Sequence, residues 1–397
     1  MGGSIRVIIN NRQLEIPKYA RMVPLAEIEG HDFNLNLPRY IDSSEPEDLQ
    51  DIDAHLNGGI PSRDLDGLAA YWQVFPAVRE ALFHNGDRPG YHQLGVDIGE
   101  VRSTIFDHPE FAAFKQQVNQ CFAGWRTDNT PLLTGIQIGD RPKLLIETVS
   151  EALLEAFRPL PLLDPYDVYQ HLMEYWAETM QDDVWMLVRD GWQAQQGGKP
   201  NFDLIPPELI VARYFAAERA AIEELEARRD TIARQLEELE EEHGGEEGLL
   251  AEAKTDKGKL TKATVKARLS AVQAAGPGAA EPEEIALLQQ CLDLMDQATA
   301  AGKMVKEAQK ALDKKVNARY GKLGEVEVKT LVVEDKWLAT LAARVEGELE
   351  RVSQALAGRI RQLAERYATP LPKLEAEVEA AGARVEKHLK QMGFAWN

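Results

Sequence analysis

Two long stretches with apolar residues at helical spacing constrain this chain more than any other feature. The first opens at Pro206-Pro207 and can run to about His243, placing Ile222, Leu225, Ile232, Leu236 and Leu239 at three- and four-residue steps, with Arg229 as one break in the seam. The second starts near Pro282 and passes through Ile285, Leu288, Leu292, Met295, Val305 and Leu312 to Tyr320. Proline suits the first turn of a helix and glycine ends one, so Pro206-Pro207 and Gly244-Gly245 read as a start and a stop. Stripes of this kind need a partner helix. About 38 residues lie between the two, enough to close a turn within one chain. The expectation is a long antiparallel coiled-coil arm, about 50 Å at 1.5 Å per residue, with a flexible tip around Gly276-Pro277-Gly278.

The rest of the chain predicts a mainly α protein: a helical body with a small β component, from which the arm departs. Helices are expected within Asp64–Phe83, interrupted at Pro76, and within Leu94–Trp125, where Asp107-His108-Pro109 starts a fresh one. Lys143–Phe157 and Asp164–Met180 are two more, and Glu45–Ile52 reads as a short helix with an acidic first turn. Strands are expected at Ile5–Ile9, at Val184–Val188, and over Glu325–Val333, where Val326, Val328, Thr330 and Val332 alternate. A long helix over Asp335–Ala368 carries Leu338, Leu341, Val345, Leu349, Val352, Leu356, Ile360 and Leu363. Pro370 and Pro372 end it, and a last helix carries Leu374, Val378, Val385, Leu389 and Met392. Four segments follow: 1–62 as strand and linker, 63–205 as helical body, 206–324 as arm with helices at about 208–243 and 283–320, and 325–397 as strand and C-terminal helices. The opening Met1-Gly2-Gly3-Ser4 reads equally as an added linker or a natural start.

The 397 residues are 44% hydrophobic and 28% charged, enough apolar material for a folded core. A net charge of −20 argues against a protein that coats nucleic acid through its overall charge. Cys121 and Cys291 are the only cysteines, which excludes a disulfide scaffold and fits a reducing, cytoplasmic setting. No apolar run approaches a membrane span.

Motifs that carry chemistry are sparse. Neither GxGxxG nor GxxxxGK[ST] occurs, and Gly135 and Gly139 are too few to cradle a nucleotide. Asp164-Pro165-Tyr166 lacks the second proline of an amino-methyltransferase turn and reads as a helix cap. His171 stands among Tyr166, Tyr169, Glu174, Tyr175 and Trp176, which suits a packing face with satisfied polar tips more than a catalytic one. The acidic pair Asp182-Asp183 reads as solvated rather than as a cation site. No catalytic, cofactor-binding or metal-binding residue is assigned. One charge feature stands out: Lys254, Lys257, Lys259, Lys262, Lys266 and Arg268 stand against a single acidic residue in 15 positions. They can pair with the acidic run Glu237–Glu247 or contact a DNA backbone.

Several stretches resemble the methylation (M) subunits of type I restriction–modification systems. Leu25-Ala26-Glu27-Ile28 followed by Asn34-Leu35-Asn36-Leu37-Pro38-Arg39-Tyr40-Ile41-Asp42 is similar to a hallmark that follows the methyltransferase domain in that family. Tyr169–Met173 with Tyr175-Trp176, Thr179–Asp183, Asp190-Gly191-Trp192, Asp335–Leu338, Arg366–Pro372 and Met392-Gly393-Phe394 also look like it. The family's cofactor loop and its Asn-Pro-Pro-aromatic turn are absent. The resemblance therefore implies the region C-terminal to an adenine-N6 DNA methyltransferase domain, inactive by itself, with S-adenosylmethionine belonging to the full-length protein. It implies assembly with a specificity (S) subunit and a second M subunit, allows a restriction (R) subunit, and places DNA in the full complex. Leu349, Val352, Leu356, Ile360 and Leu363 are then the expected subunit interface or the scaffold behind it. A stand-alone coiled-coil tether remains the alternative, as does an enzyme built around His171.

Overall fold

A computed structural model describes residues 15–16, 20–36, 40, 49–245, 248–255, 257–275 and 282–393. The strand expected at Ile5–Ile9, the first half of the helix expected at Glu45–Ile52, and Gly276-Pro277-Gly278 lie outside the described residues, as do residues 37–39 and 41–42 of the family hallmark. The chain is mainly helical with a small antiparallel β component, and it divides into two compact units.

The first unit takes in residues 1–131, 143–178 and 341–397. After a two-residue pairing of β1 (Glu15–Ile16) with β2 (Ala20–Arg21) come the short helices α1 (Leu25–Gly30) and α2 (Ile52–Asn57). A three-stranded sheet is built from β3 (Ile60–Pro61), β4 (Phe83–Asn85) and β5 (Tyr91–Leu94) in the order β3-β5-β4, with Ile60 opposite His92 and Phe83 opposite Leu94. Between its strands run α3 (Ser62–Asp66), α4 (Ala69–Val74) and α5 (Pro76–Leu82). Pro76 ends one helix and starts the next, and the Glu110 carboxylate accepts the N–H groups of Ala77 and Val78 that this start leaves open. The helices α6 (Val101–Phe106), α7 (Pro109–Thr134), α8 (Pro142–Phe157) and α9 (Pro165–Tyr175) follow. Asp164 caps α9 by accepting from Tyr166 N–H at 2.8 Å, and α9 runs on into a π-helical turn, Trp176–Met180.

The second unit takes in residues 132–142 and 179–340. It holds α10 (Gln181–Asp190), the hairpin β6 (Gln195–Gln196) and β7 (Lys199–Pro200), α11 (Pro207–Tyr214), α12 (Ala216–His243), α13 (Lys262–Ala275), α14 (Pro282–Tyr320) and α15 (Glu325–Lys329). A nine-residue π-helix, Thr330–Leu338, follows α15 and leads into α16 (Ala339–Arg366) and then α17 (Leu371–Gln391). Gly191, at φ 76°, ends α10 in a conformation that favours glycine, and the Trp192 indole then donates to Ile136 O at 2.9 Å.

Two expected strands are helical instead. Val184–Val188 lies in α10, where Val184, Leu187 and Val188 are buried and Trp185 is exposed, a three-and-four spacing that a five-residue window conceals. Glu325–Val333 alternates in sequence, yet Leu331, Val332 and Val333 are all sealed while Val326 is open. No one-faced strand buries three successive residues. The Glu327 carboxylate closes the helix start by accepting Gly324 N–H at 3.0 Å.

The helical pair also differs in detail from its expectation. The outgoing helix is broken at Phe215 (φ −133°, ψ 28°) into α11 and α12. The pair α12 and α14 lies antiparallel, with Glu218 meeting Lys315 at 2.9 Å near one end and Ile232 and Leu239 sharing a core with Leu288, Cys291 and Leu292 toward the other. The described part of the segment expected as a flexible tip is folded: Leu250, Ala253, Val265 and Leu269 join that core through α13 and a short 3-10 turn, Ala251–Ala253.

Candidate functional site

The residues singled out from sequence fall into separate places. Asp183 is the third residue of α10, and its neighbour Asp182 is exposed; successive side chains on a helix point about 100° apart, so adjacent carboxylates face different media. Asp183 is not solvated. It accepts from the Lys336 ammonium, at 2.7 Å to Oδ2 and 2.9 Å to Oδ1, and from the Trp337 indole at 2.8 Å. Lys336 also donates to the carbonyls of Asp203 and Leu204, each at 3.0 Å. Burial pushes the Asp183 carboxyl above its ordinary value, and Lys336 and Trp337 pull against that. The ammonium occupies the place a cation would take. Among the described residues, no group of three or more His, Cys, Asp or Glu is arranged to hold a metal.

His171, on α9, lies against Glu348 of α16, Nε2 to Oε2 at 3.4 Å. Glu348 is buried and gripped by Arg351, which reaches on to Asp167 at 3.1 Å. The hydrogen bond from Arg351 is the main cause holding Glu348 below the ordinary carboxylate range, while burial pushes Asp167 above it. Arg344 lies over the Tyr175 ring and pairs with Glu178 at 2.5 Å. These are alternating charges that neutralise one another between two helices, an arrangement that joins α9 to α16 and leaves no group poised as a free acid or base.

A groove of about 630 Å³ in the first unit is lined by Gly58, Gly59, Arg88, Tyr91, His92, Tyr367 and Pro370, among others. Gly59, at φ 90°, lets the chain pass β5, because a Cβ there would meet the Tyr91 Cβ at 3.1 Å. The Tyr367 hydroxyl, from the Arg366–Pro372 stretch, donates to Asp64 at 3.0 Å and accepts from Asp51 N–H. Beside the groove, His92 shares a 3.0 Å hydrogen bond with the Ser62 hydroxyl, and burial and then Arg79 lower the imidazole's pKa. No carboxylate among the described residues hydrogen-bonds this imidazole, so the pair lacks the orienting third member of a nucleophilic triad.

Half of the basic cluster is already paired within the chain. Lys254 meets Glu240 at 3.6 Å, Lys262 pairs with Asp296, and Arg268 bridges Glu284 (2.8 Å) and Glu252. Lys257, Lys259 and Lys266 are exposed and pair with no charge among the described residues.

The five side chains expected at a subunit interface or behind it share one placement. Leu349, Val352, Leu356, Ile360 and Leu363 of α16 are buried in the core of the first unit, where the Tyr71 hydroxyl reaches Val352 O and Lys115 pairs with Glu346. Their own chain covers them, which fits a scaffold behind a contact surface rather than the surface itself. The open stripe is one helix later: α17 has no buried residue, and Leu371, Leu374, Val378, Val385 and Met392 stand exposed along it, from 44% to 71%. The sequence held this signal as the same helical spacing.

Comparison with family models, curated proteins and solved structures finds no match to the chain. Among the described residues, no helix is long and apolar enough to cross a membrane.

Proposed function

We propose that this chain is an assembly module: the region C-terminal to the catalytic domain of a type I restriction–modification M subunit. It supports N6-adenine methylation of DNA by holding that subunit to the specificity subunit. The observation that carries the assembly role is α17, a three-heptad amphipathic helix that lies beside α2 yet has no buried residue and leaves Leu371, Leu374, Val378 and Val385 exposed. Support for the family comes from stretches that resemble it and build interior joints: Thr179–Asp183 meets Asp335–Leu338 through the Asp183–Lys336 pair, and Arg366–Pro372 supplies Tyr367. In this reading α12 and α14 serve as the antiparallel coiled-coil arm. Lys257, Lys259 and Lys266 are its remaining candidates for DNA-backbone contact, and S-adenosylmethionine binds elsewhere in the full-length cytoplasmic protein.

The test is co-purification with the cognate specificity subunit, comparing the full chain with one ending at residue 369. Capture of the full chain and loss on truncation are expected. Equal capture of both removes α17 from the contact, and no capture of either overturns the proposal. Calorimetry with S-adenosylmethionine should give no binding heat, and tight binding would contradict the division of labour.

A further inference from the structure

We infer that the groove between β5 and the segment that ends α16, within the first unit, binds a linear alkyl diamine or polyamine. Its volume of about 630 Å³ is that of a small-molecule site. Its walls are held before any ligand arrives. Arg88 is tied to Asp53 and to Gly58 O, and its guanidinium carbon lies 3.9 Å from the centre of the Tyr91 ring. Tyr367 is fixed by Asp64 and by Asp51 N–H. Walls set in this way spare a ligand the cost of ordering them.

Charge selects the sign of the ligand. Among the described residues, Arg88 is the only arginine or lysine on the walls, and Asp53 already neutralises it. Burial lowers the His92 pKa, so its ring stays uncharged at neutral pH. Asp87 and Asp97 also line the groove, are exposed, and pair with no charge among the described residues. The groove therefore repels phosphates and carboxylates and attracts cations. Leu94, Val96, Ile98 and Pro370 supply the apolar part of the lining, which suits a methylene stem rather than a bare metal ion.

Position selects the length. Asp87 lies in the turn that precedes β5, and Asp97 lies just beyond its last residue, Leu94. The residue steps of β5 cover about 10 Å. A cation at each end of a methylene chain then pairs with a carboxylate at each end of the strand, while the stem lies along the apolar wall. A shorter diamine reaches one carboxylate at a time. A free polyamine and a pair of lysines on a partner segment share this chemistry. The inference rests on the groove alone, so its failure leaves the assembly role of α17 standing, and loss of that role leaves the groove untouched.

The experiment is calorimetric titration of the full chain at low salt with heptamethylenediamine, trimethylenediamine and the peptide acetyl-Lys-Ala-Lys-amide. The two diamines carry the same charge, so several-fold tighter binding of the longer one is expected and reports the apolar wall. Asp87→Asn with Asp97→Asn should weaken that binding by about fivefold or more. Glu237→Gln with Glu241→Gln, which removes as much charge from α12, should leave it unchanged. All four positions are exposed, so both double variants keep the fold, checked by their unchanged melting. Tighter binding of heptamethylenediamine than of the peptide assigns the groove to a free amine, and the reverse assigns it to a partner segment; either supports the inference. No binding overturns it. So does equal affinity for the two diamines, or equal loss in the two double variants, since the −20 chain then gathers cations by its overall charge.

Discussion

Lys336 and Asp183, 153 residues apart in sequence, meet inside the second unit with 2.7 Å between Nζ and Oδ2. Neither has water to fall back on. Each is instead satisfied by protein: the ammonium by two carbonyls besides the carboxylate, and the carboxylate by an indole N–H besides the ammonium. A buried pair of this kind contributes little over an apolar substitute, but either half alone is costly.

Removing the cation should therefore be worse than removing both charges. Lys336→Met is expected to cost about 3–5 kcal/mol in urea unfolding, because it strands the Asp183 carboxylate. The double variant Lys336→Met with Asp183→Asn should recover a good part of the loss. A double variant at least as unstable as the sum of the singles would show that the two residues act independently.

The contrast between α16 and α17 gives a second expectation. Leu356→Asp places an unpaired carboxylate at a position 1% exposed and should abolish cooperative unfolding of the chain. Val378→Asp, 70% exposed, should change stability by no more than about 0.5 kcal/mol. Circular-dichroism melts of the two variants side by side decide it.

Acid sensitivity should trace in part to Glu348. Its folded pKa is depressed, chiefly by Arg351, so its contribution to stability is full above the ordinary value of 4.5 and is lost as pH falls through the lower folded value. Asp167, raised by burial, works in the opposite direction as the pH falls. Glu348→Gln should therefore flatten the fall of the urea midpoint below pH 4.5 relative to the parent protein. An unchanged slope would move the acid-sensitive group elsewhere.

In the full assembly, replacing Lys257, Lys259 and Lys266 with Gln should reduce DNA affinity uniformly across sequences. The slope of log affinity against log salt should become shallower by about 0.9 per lost phosphate contact. Lys262 makes a weaker probe, since Asp296 already holds it. Identical slopes would leave the patch as a solvated surface.

The helix starts at Pro76, Pro109, Pro165 and Pro207 were legible because proline fixes φ and dispenses with an N–H that has no partner there. The strands at Val184 and Val326 were misread because short β-branched runs record apolarity without period, and packing on all sides then favoured helix. Val265, Leu269 and Val272 carried the signal for α13, at four- and three-residue steps, behind a background of alanine, lysine and glycine. The Asp183–Lys336 joint has no local signature, since nothing in either segment names its partner. The five apolar side chains of α16 are ambiguous in sequence for a related reason: a helical stripe says that something covers it, not whether the cover is the same chain. The patterns of α16 and α17 are alike, and only their neighbours differ.

That difference divides the two helices under mutation and selection. A polar replacement at Leu356 or Ile360 is purged because the chain no longer folds. At Leu374, Val378 or Val385 the fold exacts no such penalty, so descent alone would let polar residues accumulate there until α17 was hydrophilic all round. An apolar stripe that persists on such a helix is maintained by something beyond its own chain, and the rate at which it erodes among descendants measures how much that outside contact matters to the cell.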